Sequence, residues 1–256
     1  MKVWTRVIPC LLLSGRGFVK TLKFRDPKYL GDPRNIVRIF NEKEADELVI
    51  LDITATREGR GPNLELVGEI VDEAFVPVAY GGGITSIDHA RQLFSLGVEK
   101  VVINTAAFEN PELLTDVASE YGVQSLVASI DVKRSLLRRP LVHRRGRKRT
   151  RFDPLVWARR LVDLGAGEIL LQSVDRDGTM EGYDLQLVDS VASELDVPVV
   201  ACGGAGSVED LGAVVQDAHA SAAAAGSLFV FQGRHRAVLV SFPDHDDLAR
   251  VGLRPE

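Results

Sequence analysis

The sequence contains the same set of short patterns twice, about half a chain apart. The matched segments are residues 47–51 and 168–172, 76–78 and 197–199, and 81–83 and 202–204, each pair separated by 121 positions. A unit of this length is far longer than the roughly 20–50 residues of a solenoid repeat. The repeat therefore predicts two equivalent halves, about residues 1–122 and 123–256, that close on each other.

Eight short apolar runs rich in β-branched residues alternate with stretches of helical, polar-faced pattern. The runs are residues 6–13, 47–53, 76–80, 100–104, 125–132, 168–174, 197–202 and 220–225. Several are apolar at nearly every position, as in parallel strands covered on both faces. The chain has 256 residues, and one closed barrel of eight strands and helices has roughly 250. We predict an α/β fold, a single (β/α)8 TIM barrel over residues 1–256 made of two half-barrels.

Three helix starts are visible between these runs. Ser86 and Ser207 each stand two residues before an acidic residue at the start of a helical pattern, and Asn110-Pro111-Glu112 places a proline in the first turn of another helix. Serine and asparagine accept hydrogen bonds from the free backbone N–H groups of a first turn, and proline lacks the N–H that would be unpaired there. Helices are predicted to follow at these points.

The composition excludes several classes of protein. Hydrophobic residues make up 45% and charged residues 26% of the chain, which rules out disordered and fibrous classes. No run approaches the roughly 18 apolar residues of a membrane span, and the first residues lack the apolar region of a secretion signal. We expect a cytoplasmic protein with no membrane partner. Cys10 and Cys202 lie in apolar runs and are predicted to be reduced and buried.

The histidines and the net charge exclude two further classes of site. His89, His143, His219, His235 and His245 are scattered without metal-ligand spacing, so we predict no metal site, and no cofactor. The net charge of −5 argues against a general nucleic-acid coat.

Glycines and small polar residues follow the predicted strands at matched places in the two halves. One set is Gly82, Gly83, Asn104 and Thr105, and the other is Asp177, Gly178, Gly203, Gly204, Gly226 and Ser227. Glycine lets backbone N–H groups approach an anion closely, and a helix N-terminus behind it adds positive potential. Tight-turn glycine is the alternative for one such set. Two matched sets predict two phosphate sites, and thus a ligand with phosphates at both ends or a nucleotide diphosphate.

One carboxylate stands out at the end of the fifth predicted strand. Asp131 follows an apolar run, at the barrel face that carries the chemistry in this fold, and we predict that it is a general acid. A loop-capping aspartate is the alternative. Under the repeat its partner position is Leu12, and leucine can neither give nor accept a proton. A mechanism with paired carboxylates would need both positions.

Four charged residues begin four different predicted strands. They are Arg6, Glu47, Lys100 and Glu168. Unpaired charges facing a barrel interior are costly, so these side chains are predicted to form a closed ring of ion pairs across the bottom of the barrel. A purely stabilising network is the alternative, because this face of a barrel usually serves stability.

The segment directly after Asp131 is strongly basic. Residues 133–151 contain ten lysines and arginines and no acidic residue. We predict a lid over phosphates, because guanidinium groups match phosphate oxygens, and we place Lys20 and Lys23 of the first loop on the same surface. A solvated hairpin is one alternative. Nucleic-acid binding is another, weakened by the absence of interleaved aromatic residues before Phe152 and of any recognisable module.

Motifs along nearly the whole chain resemble one enzyme family. They include residues 6–11 (RVIPCL), 46–55 (DELVILDITA), 81–84 (GGGI), 102–107 (VINTAA), 129–133 (SIDVK), 165–170 (GAGEIL), 175–179 (DRDGT) and 203–206 (GGAG). Together they resemble the cyclase subunit of imidazole glycerol phosphate synthase. The resemblance implies a barrel that accepts ammonia from a glutaminase subunit docked at its bottom and closes an imidazole ring on a bisphosphorylated nucleotide.

The resemblance also implies roles for particular residues. Asp131 matches the catalytic general acid of the family, and the phosphate-contacting positions match the two sets given above. The ring of Arg6, Glu47, Lys100 and Glu168 matches the gate of the ammonia tunnel. The second catalytic aspartate of the family falls on Leu12, a departure that argues against ring closure.

Other segments resemble a specialised branch of the same family. Residues 11–14 (LLLS), 21–33 and 225–236 are similar to the paralogues associated with glycosyl amidation in surface-polysaccharide biosynthesis. The resemblance implies that a glutaminase and the barrel supply ammonia for converting an acetamido sugar to an acetamidino sugar, with an acceptor enzyme as a further partner and a phosphorylated or nucleotide-linked sugar as the ligand. The alternatives are the cyclase subunit of histidine biosynthesis and a non-catalytic barrel that only binds partners.

Overall fold

The computed structural model describes residues 4–135, 139–144 and 148–255. Within them the strands are β1 (Arg6–Ser14), β2 (Gly17–Leu22), β3 (Arg25–Gly31), β4 (Leu48–Asp52), β5 (Val78–Gly81), β6 (Lys100–Ile103), β7 (Leu126–Arg134), β8 (Pro140–Arg144), β9 (Lys148–Arg149), β10 (Glu168–Ser173), β11 (Val199–Cys202), β12 (Ala222–Ala225), β13 (Phe231–Gln232) and β14 (Ala237–Val238). The α-helices are α1 (Pro33–Glu42), α2 (Ala55–Glu58), α3 (Leu64–Glu73), α4 (Ile87–Ser95), α5 (Ala106–Glu109), α6 (Glu112–Tyr121), α7 (Pro154–Asp163), α8 (Leu185–Ala192), α9 (Val208–Gln216), α10 (Ser227–Val230) and α11 (His245–Arg250).

Eight parallel strands of the described chain form a closed barrel with helices between them. Their order is β1, β4, β5, β6, β7, β10, β11 and β12, and the ring closes where Arg6 of β1 pairs with Ala222 of β12. The predicted (β/α)8 fold is confirmed, and each predicted apolar run overlaps one barrel strand. We refer to β1, β4, β5 and β6 as the first four strands and to β7, β10, β11 and β12 as the last four. The half-barrel boundaries stay a prediction.

Side chains alternate between two cores because successive residues of a strand face opposite ways. One large core lies between the sheet and the helices. A second core fills the barrel interior, with Ile8, Val49, Ala79, Val127 and Leu170 among its members. Continuing the alternation places the last inward-facing residue of each strand at the carboxyl-end opening of the barrel, which we call the mouth.

Helix starts follow local hydrogen bonding. The Ser86 and Ser207 hydroxyls accept hydrogen bonds from the backbone N–H groups of His89 and Asp210, as predicted from the sequence. Pro111 caps α6 instead of lying in its first turn, so that helix begins one residue later than the sequence suggested. None of the helices in the described ranges is long and apolar enough to cross a membrane.

Two β-hairpins extend the sheet beyond the mouth, and neither is evident in the apolar pattern. After β1 the chain turns back into β2 and β3, and after β7 it turns back into β8 and β9, each strand antiparallel to the one before it. The hairpins therefore follow the first strand of each set of four. They carry additional side chains to the opening where the predicted site lies.

Candidate functional site

The mouth holds a cavity of about 200 Å³. The residues predicted for general-acid catalysis and for the two phosphate sites lie on its wall, from both sets of four strands, whereas Lys23 is exposed and does not line it. These residues are Lys20, Gly82, Gly83, Asn104, Thr105, Asp131, Asp177, Gly178, Gly203, Gly204, Gly226 and Ser227. The structure thus brings the predicted residues together, although their roles stay predictions.

The two glycine sets have matching backbone geometry. Gly82 has φ +115° and Gly203 has φ +96°, a region that side chains rarely adopt. A Cβ atom on Gly82 would also collide with the Asp52 carbonyl oxygen, and one on Gly203 would lie 2.8 Å from the Ser173 carbonyl oxygen. Only glycine fits the close approach of these loops, so tight packing alone accounts for both residues.

Two orphaned polar atoms point to a ligand at these loops. Asn104 Oδ1 and Ser227 Oγ are buried, and neither has a hydrogen-bond partner within the described residues. A buried polar atom left unpaired costs roughly 1–3 kcal/mol. Both atoms belong to the predicted phosphate sets, one in each. A ligand that hydrogen-bonds to them would remove that cost, which supports two polar subsites at the mouth.

Lys20 and Asp177 form a buried ion pair that joins the first hairpin to the loop after β10. Lys20 Nζ lies 2.5 Å from Asp177 Oδ1, and both side chains are almost fully buried. Asp177 also accepts hydrogen bonds from the Thr21 hydroxyl at 2.8 Å and the Phe24 N–H at 3.1 Å. The carboxylate of Asp177 is therefore occupied by the hairpin. Its contribution to the site is to hold Lys20 beside Gly226, where a Cβ atom would lie 2.9 Å from the lysine Cε.

The first glycine set has a different cation. Arg57 of α2 lines the cavity, is exposed to solvent and has no ion-pair partner among the residues that the structure describes. Its neighbour Thr56 accepts a hydrogen bond from the Gly83 N–H at 3.2 Å. Thr56 and Arg57 stand 121 positions before Asp177 and Gly178. Arg57, the cation beside the first glycine set, is thus available to bind a ligand, whereas Lys20 is paired with Asp177.

An apolar row crosses the mouth on the side of the first four strands. Leu51 of β4 pairs with Leu12 of β1, Leu12 pairs with Val19 of β2, and Val19 pairs with Tyr29 of β3. Paired residues on neighbouring strands point to the same face of a sheet. We call these four residues the apolar row. It presents no group that can exchange a proton next to the ligand cavity, because Leu12 and Leu51 are its members there.

A polar row occupies the matching place on the opposite side. Gln172 of β10 pairs with Asp131 of β7, Asp131 pairs with His143 of β8, and His143 pairs with Arg149 of β9. We call these four residues the polar row. Asp131, His143 and Gln172 are all buried, at 4%, 7% and 8% exposure. Gln172 Nε2 donates to Ser129 Oγ at a long 3.4 Å.

Cys10 and Cys202 lie below these rows in the barrel interior. Both are buried and reduced, as the sequence predicts. Their thiols are neighbours: a hydrogen bond to Cys10, followed by burial, raises the pKa of the Cys202 thiol well above its ordinary value. The protonated thiol is thereby stabilised, so the pair acts as part of the apolar filling.

The four charged residues at the other end of the barrel are joined by ion pairs. Arg6 contacts Glu47 at 2.5 Å and also pairs with Glu168, and Lys100 contacts Glu47 at 2.9 Å and Glu168 at 3.0 Å. Burial opposes the charged form of Glu168, but hydrogen bonds from Arg6 and Lys100 outweigh it and lower its pKa. Glu168 is therefore held in its ionised form, and the four ion pairs link the charged residues across the bottom opening.

The surface around this ring carries exposed apolar side chains. Trp4 precedes β1 and is 55% exposed, Phe75 precedes β5 and is 88% exposed, and Val123 precedes β7 and is 53% exposed. Arg254 packs over the Trp4 ring at 5.2 Å and binds Asp46. Large apolar groups at the surface often mark a protein contact. Here they lie at the same end of the barrel as the ion-pair ring. We call Trp4, Phe75 and Val123 the bottom apolar residues.

The predicted basic lid is partly an ordered hairpin. Arg134 pairs with Asp184 at 2.8 Å, and Arg144 pairs with Glu109 of α5. These ion pairs fix the hairpin to the barrel instead of leaving its charges free. Arg138, Arg145 and Arg147 lie outside the described residues. Within the described ranges no group of three metal-ligating side chains is present.

Sequence reasoning missed several residues of the mouth. The signal for Leu51 and Gln172 was their matched position in the repeat, where one half has a leucine and the other has a glutamine. Arg57 was a charged residue just after a predicted strand. His143 carried no signal, because only the pairing of β7 with β8 places it beside Asp131.

Comparisons with known proteins agree with this geometry. A family model described as histidine biosynthesis protein matches residues 6–236. A protein of Pseudomonas aeruginosa with the provisional name imidazole glycerol phosphate synthase subunit hisF2 is 52% identical over 244 residues, covering 95% of this chain and 97% of its own. A provisionally named HisF subunit of Leptospira interrogans is 46% identical, covering 94% and 96%. The imidazole glycerol phosphate synthase subunit HisF of Alkaliphilus metalliredigens is 44% identical, covering 88% and 89%.

Proposed function

The chain belongs to the histidine biosynthesis protein family, as a HisF-like subunit, and from that premise we propose that it is an ammonia-using synthase subunit. In this proposal a glutaminase partner releases ammonia at the bottom of the barrel, the ammonia crosses the interior, and an acceptor is amidated at or beyond the mouth. The acceptor is a phosphorylated or nucleotide-linked sugar, whose acetamido group becomes an acetamidino group in surface-polysaccharide biosynthesis.

The observation that carries the proposal is the combination of the ion-pair ring with Leu12. The ring keeps four charged residues at the starts of four strands at the entrance, although neutral residues would pack there with less desolvation. At the mouth the place matched to Asp131 holds a leucine that is 8% exposed. Entry of ammonia is thus supported, whereas the acid and base pair of ring closure is not.

The interior between the two ends suits a neutral molecule. It is filled by apolar side chains, with the small residues Ala79, Ala222 and Ala224 among them. Ammonia can pass such a layer more readily than the ammonium ion, because burying a charge without a partner is costly. A protein that delivers neutral ammonia to the mouth would need this arrangement.

The bottom apolar residues support a partner docked over the ring. Trp4, Phe75 and Val123 lie at the same end of the barrel as the ring, and a glutaminase bound there would release ammonia directly onto it. We propose that this partner covers them. A glutaminase docked elsewhere would lose its ammonia to solvent, where most of it is protonated at neutral pH.

The test is to co-purify a glutaminase with the chain and then to reconstitute the pair. We expect this barrel to raise the rate of glutamine hydrolysis, and Phe75→Asp to lower the affinity of the complex at least about tenfold. Val156→Asp is the matched control, because Val156 is also apolar and 60% exposed but lies on α7. A glutaminase whose rate is unchanged by the barrel would contradict the proposal.

A second candidate is the cyclase of histidine biosynthesis. It is favoured by the similarity to the Alkaliphilus metalliredigens subunit over 88% of the chain and by Asp131 at the mouth. A histidine auxotroph without its own cyclase should then grow when given this gene. Lack of rescue by a well-expressed gene would exclude this candidate. A barrel that only binds partners would instead keep its phenotype in Asp131→Asn.

A further inference from the structure

Two cations of the described chain line the cavity at the mouth, and they differ in what already binds them. Lys20 Nζ lies 2.5 Å from Asp177 Oδ1, so its charge is balanced within the protein. Arg57 is exposed to solvent and lines the cavity, and its side chain has no hydrogen-bond or ion-pair partner among the described residues. The two sides of the mouth therefore offer a ligand different electrostatic surroundings.

The acidic residues on the side of Arg57 are each paired with another cation. Asp52 Oδ2 lies 2.9 Å from Arg60 Nη1, and Glu58 Oε2 lies 2.7 Å from Arg60 Nε. Glu109 of α5, which also lines the cavity, pairs with an arginine of β8. The guanidinium of Arg57 is thus the charge that the carboxylates of this side leave for a ligand.

The first hairpin explains why the matched position in the other half has no such cation. Gly178 stands 121 positions after Arg57 and has φ +73°. A Cβ atom at Gly178 would collide with the Thr21 carbonyl oxygen, and the Lys23 N–H donates to the Asp177 carbonyl oxygen at 2.9 Å. The hairpin therefore packs where a side chain at 178 would lie. The two matched loops cannot bind the two ends of a ligand in the same way.

The unpaired polar atoms of the two sides are consistent with this difference. Asn104 Oδ1 and Ser227 Oγ are buried and have no hydrogen-bond partner within the described ranges, and both residues line the cavity. The Ser227 hydroxyl can donate or accept a hydrogen bond, so it suits an uncharged hydroxyl or amide of a ligand. The guanidinium of Arg57 only donates, and its planar fork matches phosphate oxygens. The negative charge of a ligand is therefore favoured on the Arg57 side.

We propose that Arg57 determines the orientation of the ligand, by binding its phosphate or diphosphate beside Gly82 and Asn104 while its uncharged sugar end lies toward Ser227. This inference deepens the proposed function and rests on it for the class of ligand, a phosphorylated or nucleotide-linked sugar. The mouth then contains one charged and one uncharged subsite, whereas the repeat alone predicts two phosphate sites.

The proposal can be tested with inorganic phosphate, as the dianion at low salt, and the full-length protein. The backbone amide resonances of Gly82 and Gly203, which are matched in the two halves, report on the two subsites by NMR. We expect Gly82 to reach half-saturation at a phosphate concentration at least about tenfold lower than Gly203, because Arg57 adds a charge-assisted hydrogen bond. Equal midpoints at the two glycines, or no shift at Gly82, would overturn the proposal.

Variants of Arg57 show whether this side chain is the cause. Arg57→Gln should raise the phosphate midpoint at Gly82 about tenfold and leave the midpoint at Gly203 unchanged. Arg57→Lys keeps the charge without the fork and should raise the Gly82 midpoint by only about threefold. Thermal unfolding of Arg57→Gln should match the wild type, because Arg57 has no partner in the described chain. An unchanged Gly82 midpoint in Arg57→Gln would contradict the proposal.

Arg25→Gln is the matched control for the change in net charge. Arg25 is also exposed, on β3, but it does not line the cavity, so its loss should leave the Gly82 midpoint unchanged. Equal effects of Arg25→Gln and Arg57→Gln would mean that only the overall charge matters, and the proposal would fail. Because these titrations use neither ammonia nor a glutaminase, failure of the proposed function would leave their results unaffected.

Discussion

The apolar row and the polar row occupy matched places on opposite sides of the mouth. Leu12 and Leu51 stand where Asp131 and Gln172 stand across the barrel, with identical strand pairing. At the bottom the matched residues Glu47 and Glu168 are both acidic and share the same two cationic partners. The backbone pattern thus supports either chemistry at the mouth, and the side chains alone distinguish the two halves there.

The difference also has an energetic side. Leucines buried at the mouth stabilise the fold by the removal of apolar surface from water. A buried carboxylate, imidazole and amide give no such gain and must be hydrogen-bonded to avoid a penalty. Leucine or valine at the positions of Asp131, His143 and Gln172 would therefore stabilise the fold at least as much. That cost points to chemistry on the polar side of the mouth.

The largest expected effect comes from placing a carboxylate in the apolar row. In Leu12→Asp the two matched positions both carry an aspartate, as paired acid and base chemistry requires. We expect ammonium-dependent turnover of the open-chain bisphosphate nucleotide of histidine biosynthesis to rise at least about 100-fold above the wild type. Leu51→Asp, one strand away, is the matched control and should show no gain. Equal turnover by the wild type and Leu12→Asp would mean that ring closure never depended on this position.

The next effect concerns the loops that follow β4 and β10. Asp177→Asn removes the charge that neutralises buried Lys20, and losing one partner of a buried ion pair costs about 3–5 kcal/mol. Thr56→Val, at the matched position, removes a single hydrogen bond and should cost about 1 kcal/mol. Denaturant unfolding measures both. Hydrogen exchange at the Phe24 amide should also accelerate in Asp177→Asn. Equal losses of stability in the two variants would show that the hairpin is not anchored by this ion pair.

The sequence was sufficient for the barrel and for the strand ends, and the reason is local. Alternating apolar runs, glycines and capping serines each report on their own neighbourhood, so the strands and Gly82, Gly83, Gly203 and Gly204 could be placed without a structure. Contacts between residues far apart in the sequence could not be predicted in this way. Lys20 and Asp177 are 157 positions apart, and no periodicity joins a hairpin residue to a loop on the far side of the mouth.

The two rows show the same limit more sharply. The repeat of 121 positions matches Leu51 with Gln172, whereas Leu12 and Asp131 are 119 positions apart and could be matched only by their places on equivalent strands. Val19 and His143 could not, because the loop between β7 and β8 differs in length and sequence from the turn between β1 and β2. Their matching depends on hairpin register, which the turn sets. One residue of slip would turn the His143 side chain to the opposite face.

A smaller effect tests the end of the barrel where the halves agree. The pKa of Glu168 is lowered from its ordinary 4.5, so its ion pairs stabilise the protein above that value, and the stabilisation is lost as pH falls through the lower, folded value. The free energy of unfolding should therefore drop less steeply below about pH 4.5 in Glu168→Gln than in the wild type. Denaturant titrations between about pH 3 and 7 give both curves. Parallel curves would mean that Glu168 is not held by Arg6 and Lys100.

The smallest expected effect lies in the loops before α4 and α9. Asp210 accepts hydrogen bonds from the N–H groups of Gly206 at 2.8 Å and Ser207 at 3.0 Å. The His89 ring, at the matched position, accepts a hydrogen bond from the Thr85 N–H at 3.3 Å. A carboxylate in the first turn also interacts favourably with the positive end of the helix.

His89→Asp should therefore reproduce the stronger cap and stabilise the protein by about 0.5–1 kcal/mol, whereas Asp210→His should destabilise it by a similar amount. Thermal unfolding of the two variants beside the wild type measures the pair. Opposite signs would show that this one side chain accounts for the difference in capping between the two loops. If both variants lose stability, the loops differ in backbone as well, and the match between the halves ends short of the helix starts.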